Sequence, residues 1–125
     1  MNEDDLSKVI VNAAIKVHSA LGAGLLESAY EACLAHELAR QGLEVKKQLP
    51  FPIEYEGMKL DVGYRLDLLV NDMVVVEIKA VEKLLPVHMA QVLSYLKLGQ
   101  FKLGFLLNFN VAHMKYGIAR IVNGL

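Results

Sequence analysis

The octapeptide VVVEIKAV, Val74 to Val81, constrains the fold of this chain more than any other stretch. Valine and isoleucine at consecutive positions favour extended backbone and read as a buried β-strand. Successive side chains of a strand point to opposite faces. Val74, Val76 and Ile78 therefore share one face, and Met73, Val75, Glu77 and Lys79 the other. Both faces are apolar over most of their length, so helices are expected against the sheet. The second face passes from apolar side chains to a carboxylate and an ammonium two residues apart. That pair needs a chemical explanation.

Around this strand the hydrophobic period alternates between helix and strand. In LSKVIVNAAIKVHSAL, the residues Leu6, Val9, Ile10, Ala13, Val17 and Leu21 recur at helical spacing, and Gly22 and Gly24 end the helix. A second helix is expected over 25–41, with Leu26, Tyr30, Cys33, Leu34 and Leu38 as its apolar stripe and Gly42 as its stop. The period then drops to two. LEVKKQL reads as a short strand, FPIEY alternates at Phe51, Ile53 and Tyr55, and EGMK is a turn. LDVGYRLDLLV is a longer strand, with Asn71-Asp72 as the next turn. After Pro86, VHMAQVLSYLKLG is helical, with Gly99 as its stop. KLGFLLNF and KYGIARIV close the chain as strands. The order α-α-β-β-β-α-β-β predicts an α/β (α+β) layer fold: a mixed four- to five-stranded sheet flanked by helices. An antiparallel meander would be followed by a parallel return through a right-handed crossover.

With 125 residues, 54% of them hydrophobic, the chain is long enough for one domain with a real core, and residues 1–125 are expected to form it. Mean hydropathy is +0.34. Even so, the longest uncharged stretches, LLPVHMAQVLSYL and LGFLLNFNVAHM, fall short of the ~20 apolar residues a membrane span needs. The acidic start MNEDDLSKV lacks the basic region of a signal peptide, and the lone Cys33 makes no internal disulfide. The expected setting is cytoplasmic. Net charge is −1 but unevenly spread: −6 over residues 1–78 and +5 over 79–125. Such a split suits a site that holds a cation and approaches a polyanion, and it also arises by chance on a solvated surface.

Register decides whether Glu77 and Lys79 have a partner. If Asn71-Asp72 is a two-residue turn, Val70 pairs with Met73 and Asp67 faces Val76. If the loop takes in residues 71–73, Val70 pairs with Val74, and Asp67 lies opposite Glu77. Cross-strand neighbours stand ~4.5–5.5 Å apart at Cβ. Two carboxylates that close repel, and burying them unpaired is costly, so the fold either separates them or places a divalent cation between them. Mg²⁺ takes one or two carboxylates with waters and phosphate oxygens. Lys79, one step along, would orient an attacking water or stabilise developing charge. The plain alternative is a surface Glu–Lys pair of little energetic weight.

Asp67 followed by Glu77-Ile78-Lys79 resembles the D-x(n)-E-x-K core of the PD-(D/E)XK nuclease superfamily, and the order α-β-β-β-α-β over 25–109 is similar to its restriction-endonuclease-like core. Gly24-Leu25-Leu26-Glu27-Ser28-Ala29-Tyr30 resembles the signature of the GxxExxY family within it. Gln91-Val92-Leu93-Ser94-Tyr95 resembles the Q-x-x-x-Y motif of its RecB-like branch. The Pro-Asp of the superfamily's name is absent, since Leu66 precedes Asp67. The resemblance implies a Mg²⁺- or Mn²⁺-dependent nuclease acting on DNA before RNA and leaving a 5′-phosphate. It implies Glu27, Asp67, Glu77 and Lys79 as catalytic residues. The metal shell would be Asp67, Glu77, Glu27 and the backbone carbonyl of Ile78.

Each supporting residue also has a structural reading. Glu27 could be a third-position helix residue capped from Gly24. Tyr30, one turn on, reads as core with its hydroxyl at the edge of the site. His88, Gln91 and Tyr95 share a face of the third helix and either bind substrate or support the fold. Asn108 invites the same two readings, while Cys33 reads as core. Lys83, Lys97, Lys102, Lys115 and Arg120 are candidate phosphate contacts. With no recognition domain visible in the sequence, a homodimer or partner protein would serve for targeting. Two other functions compete: an inactive nuclease-fold module binding nucleic acid or a partner protein, and a phosphoesterase for small nucleotides.

Overall fold

A computed structural model describes residues 1–60 and 64–125. The elements run α1 (Glu3–Leu21), α2 (Glu27–Arg40), β1 (Val45–Tyr55), β2 (Met58–Val70), β3 (Val74–Lys79), α3 (Pro86–Gly99), β4 (Leu103–Asn108) and β5 (Ile118–Val122), with a 3₁₀ turn at Met114–Gly117. The five strands form one sheet in sequence order. β1, β2 and β3 are an antiparallel meander, β3 and β4 are parallel through α3, and β5 returns antiparallel. This is the expected mixed sheet flanked by helices. The expected strand 60–70 includes residues 61–63, which lie outside the described residues. Among the described residues no helix is long and apolar enough to cross a membrane.

The sheet has two unequal cores. α1 and α2 cover one face, where Leu6, Ile10, Leu34 and Leu38 pack on Val74, Val76, Ile78 and Phe105. α3 covers the other, where Val92, Tyr95 and Leu96 pack on Leu69, Val75 and Leu106. β3 and β4 are buried on both faces, as their unbroken apolar runs require.

Several local expectations change. The two short segments 43–49 and 51–55 are one strand, β1. It tolerates Pro50 and Pro52 because it lies at the sheet edge, with a register shift between Phe51 and Ile53. α2 begins at Glu27 with Leu26 as its N-cap, so Leu26 lies outside the stripe and is 78% exposed. Cys33 is exposed rather than core. Glu37 closes that side of the helix instead, its carboxylate 2.8 Å from Lys16 Nζ on α1. Gly99 is the last residue of α3, and Gln100 takes the left-handed cap at φ 59°. A side chain at Gly99 would run into the rings of Phe101 and Phe51. The first part of KYGIARIV is the 3₁₀ turn rather than strand.

The hairpin between β2 and β3 takes the longer loop. Asn71 and Asp72 both lie at positive φ, 52° and 54°, and the Met73 N–H donates to the Val70 carbonyl at 3.0 Å. The ladder pairs Val70 with Val74, Leu69 with Val75 and Leu68 with Val76. Met73 is thus the additional residue, and it packs against the α1/α2 core rather than on the face of Val75.

Candidate active site

Pairing between β2 and β3 stops at Leu68–Val76, one step before Asp67 would meet Glu77. There the side chains replace the ladder. Asp67 Oδ2 accepts the Ile78 N–H at 2.8 Å, and Glu77 Oε1 accepts the Asp67 N–H at 3.2 Å. Each carboxylate thus satisfies a backbone donor that the parting strands would otherwise leave unpaired. In a strand the N–H and C=O of one residue point the same way, so the Ile78 carbonyl also opens toward Asp67.

The gap has a second cause in β1. Gln48 sits at φ 49°, a left-handed conformation that costs a non-glycine residue about 1 kcal/mol or more. Val45 packs against the α1/α2 core, whereas Leu49 packs against the α3 core. β2 does the same between Leu68 and Leu66. Both strands therefore change the face they present at the level of Gln48 and Asp67. Gln48 Nε2 donates to Glu31 Oε1 at 2.6 Å and to Asp67 Oδ1 at 3.3 Å, so one side chain spans from α2 to β2.

Glu77 is the most perturbed acid described. It is 7% exposed, and its pKa is pushed up to about 9. Burial is the main cause, followed by the charge of Asp67 and a side-chain hydrogen bond to it, while the Lys79 ammonium pulls the other way. Glu31 is also raised, first by burial and further by Asp67 and Glu27, against the Gln48 hydrogen bond. Tyr95 is pushed up to about 12, by burial and then by the charges of Glu77, Tyr64 and Asp67. In all three groups burial is the first cause, and neighbouring acidic groups add to it.

The other expected residues fall at different distances from this pair. Lys79 is half-buried at the end of β3, opposite Asn108 on β4. Asn108 fixes the chain just beyond it. Its amide donates to the Val81 carbonyl at 2.9 Å, and its oxygen accepts the Val81 and Asn110 N–H groups. Glu27 is exposed, and its Oε2 accepts the Ala80 N–H at 3.4 Å. As the first residue of α2 it cannot form the capping box read from Gly24. Nor does it cluster with Asp67 and Glu77: among the described residues no three His, Cys, Asp or Glu side chains converge closely enough to hold a metal ion.

Tyr30 is fully buried and stacked on Phe109, and its hydroxyl is spent away from the pair. It donates to the Gly22 carbonyl at 2.6 Å and accepts the Leu25 N–H at 3.1 Å. This staple fixes the 22–25 loop, with Gly24 at φ 97°, and so sets where α2 begins and where Glu27 stands. The spacing of glycine, glutamate and tyrosine thereby has a local physical cause. His88 is also occupied, its Nδ1 accepting the Leu85 N–H at 3.0 Å to cap α3. Gln91 is exposed on α3, one turn before the buried Tyr95. Of the candidate phosphate contacts, Arg120 lies 3.7 Å from Asp4, and Lys115 sits over the Tyr116 ring.

Glu31 and Gln48 are absent from the expected set. Glu31 had a usable signal, because it lies four residues after Glu27 on the same helix face. Gln48 had none, since nothing in KKQLP announces a left-handed residue inside a strand.

The donor set fits a hard divalent cation. Two carboxylates and a strand carbonyl are oxygen ligands of the kind Mg²⁺ and Mn²⁺ take, and a cation between Asp67 and Glu77 would offset the repulsion that opposes ionising both. Lys79, whose charge acts on Glu77, would stand near an ion held there.

A family model described as the PD-(D/E)XK nuclease superfamily matches residues 4–121. No curated protein and no solved structure gives a match. The matched span takes in all but one end residue of α1 and of β5, every element between them and every residue of the site just described, and the chain therefore belongs to the PD-(D/E)XK nuclease superfamily.

Proposed function

We propose that this chain is a Mg²⁺- or Mn²⁺-dependent nuclease that hydrolyses phosphodiester bonds in nucleic acid, DNA before RNA, and that it is a GxxExxY protein whose residues 1–125 act as one nuclease-like domain. The observation that carries this reading is the interlock of Asp67, Glu77 and the Ile78 amide where β2 and β3 part, with Lys79 at the strand end. Asp67, Glu77 and the Ile78 carbonyl would hold the ion, with Glu27 in reserve at the mouth. When bound, a divalent cation supplies charge neutralisation at the phosphate and lowers the pKa of a water. The chain's own groups do the rest. Glu77 would ligate as the carboxylate, its proton passing to solvent. The Ile78 N–H holds the Asp67 carboxylate in place. The Lys79 ammonium orients the attacking water or stabilises charge on the phosphate oxygens.

A second reading, an inactive nuclease-fold module for nucleic acid or a partner protein, draws on one observation: Glu27 sits on the Ala80 amide, apart from the other carboxylates. One experiment separates the two. Labelled single-stranded, duplex and branched DNA and RNA are incubated with the protein and Mg²⁺, Mn²⁺ or EDTA, beside a Lys79→Ala variant. Cleavage with either metal is expected, abolished by EDTA and lowered roughly 100-fold or more by the variant. Cleavage that persists under both changes sinks the mechanism. No cleavage of any substrate favours the inactive module.

A further inference from the structure

A groove of about 810 Å³ runs between the β1–β2 hairpin and α3, apart from the carboxylate gap yet joined to it by one side chain. Its walls include Ile53, Tyr64, Gln91, Tyr95, Lys97 and Leu98. Tyr95 is the shared residue. It packs in the α3 core with Leu106, and Leu106 is the register partner of Glu77 on the same side of the sheet. The ring therefore faces the groove on one side and the region of Glu77 on the other. Tyr64 meets it edge-on, centroids 5.9 Å apart and planes at 71°, and remains 39% exposed.

We propose that this groove binds an unpaired nucleotide next to the scissile phosphate, so that the preferred substrate is a single strand or a single-stranded end. The proposal rests on the nuclease reading for the position of the phosphate, and on the groove itself for the base. The groove chemistry selects the occupant. Aromatic and aliphatic walls accept the face of any base, and stacking on such walls is the usual means of binding single strands without sequence preference. Gln91 offers both donor and acceptor to a base edge. Lys97 places a cation at the wall, where the strand's phosphate would pass. A base within a duplex is stacked and paired and enters such a concavity only by being flipped out, whereas an unpaired base enters directly. The volume lies in the range of about 300–1,000 Å³ typical of sites for small organic groups, and is ample for a nucleotide.

The test fills the groove without touching the carboxylates. Ser94 lines it and is exposed on α3, so Ser94→Trp adds bulk where the fold has room. Tyr64→Ala, which removes the exposed ring, serves as the second variant should the first fold poorly. Binding of fluorescein-labelled oligodeoxythymidine, oligouridine and a mixed-sequence DNA duplex is read by anisotropy in EDTA, where no turnover occurs. Wild type is expected to bind both single strands more tightly than duplex, and each variant to lose roughly tenfold or more for single strands with duplex binding and melting temperature unchanged. Equal affinity for single strand and duplex in the wild type overturns the proposal. So does single-strand binding indifferent to both variants, even if Lys79-dependent cleavage is present. A dimer that Ser94→Trp converts to monomer makes a second copy the occupant and also overturns it. Groove-dependent binding without any cleavage supports this proposal and counts against the nuclease reading alone.

Discussion

At neutral pH a carboxyl whose folded-state pKa is about 9 carries its proton, so Glu77 stands in the metal-free protein as an acid rather than as a ligand. Its ordinary value is 4.5, and the folded value is raised above it. The group therefore costs nothing below pH 4.5, and stability falls as pH climbs from there toward 9. Glu77→Gln keeps the shape and removes the titration. In EDTA it should stabilise the protein by roughly 1–4 kcal/mol at pH 8.5 and by little at pH 5, while abolishing cleavage. Urea denaturation at the two pH values checks this, and an equal effect at both would refute the burial argument. How legible the site was depended on distance along the chain. Asp67, Glu77 and Lys79 could be read because a single hairpin brings them together. Glu31 and Gln48 could not be paired from sequence, because they meet only through the docking of α2 on β1. Tyr30 was read as lying near the site, but its hydroxyl serves the loop that aims Glu27.

The β2–β3 hairpin is the element on which the site depends, and its register rests on two residues at positive φ. Asn71 is held at both ends: its N–H donates to the Glu44 carbonyl at 2.8 Å, and its Oδ1 accepts the Glu44 N–H at 2.8 Å. Asn71→Ala should cost about 1–3 kcal/mol, combining a lost hydrogen bond with the strain of a left-handed alanine. Asn71→Gly should cost less, because glycine accepts the conformation. Chemical denaturation of both variants tests this, and equal losses would place the whole effect in the hydrogen bond. The order of elements was legible because each change of period is local and each lies between Gly, Pro or Asn-Asp stops. Loop length was not, since Asn-Asp suits either hairpin and only the ladder distinguishes them. The face of α2 was partly misread for a geometric reason. Cys33 lies about 60° around the helix from Tyr30, on the side away from Leu38, which puts it beyond the stripe the sheet covers.

Across the whole molecule the candidate phosphate contacts have different surroundings. Arg120 is drawn to Asp4 and Lys115 lies over Tyr116, whereas Lys79 stands at the end of β3 and Lys97 on the wall of the groove. With Lys79 and Lys97 as the phosphate contacts of the proposed site and groove, binding should depend on few charges. Each phosphate neutralised on a single strand contributes about −0.7 to the slope of log K against log salt. Two lysines give an expected slope of about −1 to −2, measured by anisotropy across a salt titration. A slope steeper than about −4 would mean that the dispersed lysines act together after all. The exposed thiol of Cys33 gives this question a practical means of study. It is the chain's one cysteine, on the same helix as Glu27 and about 9 Å along the axis from it. A single maleimide dye or spin label attached there would need no engineered mutation, and would report from the helix that carries Glu27 and Glu31, on the side away from Glu31, as metal and strand arrive.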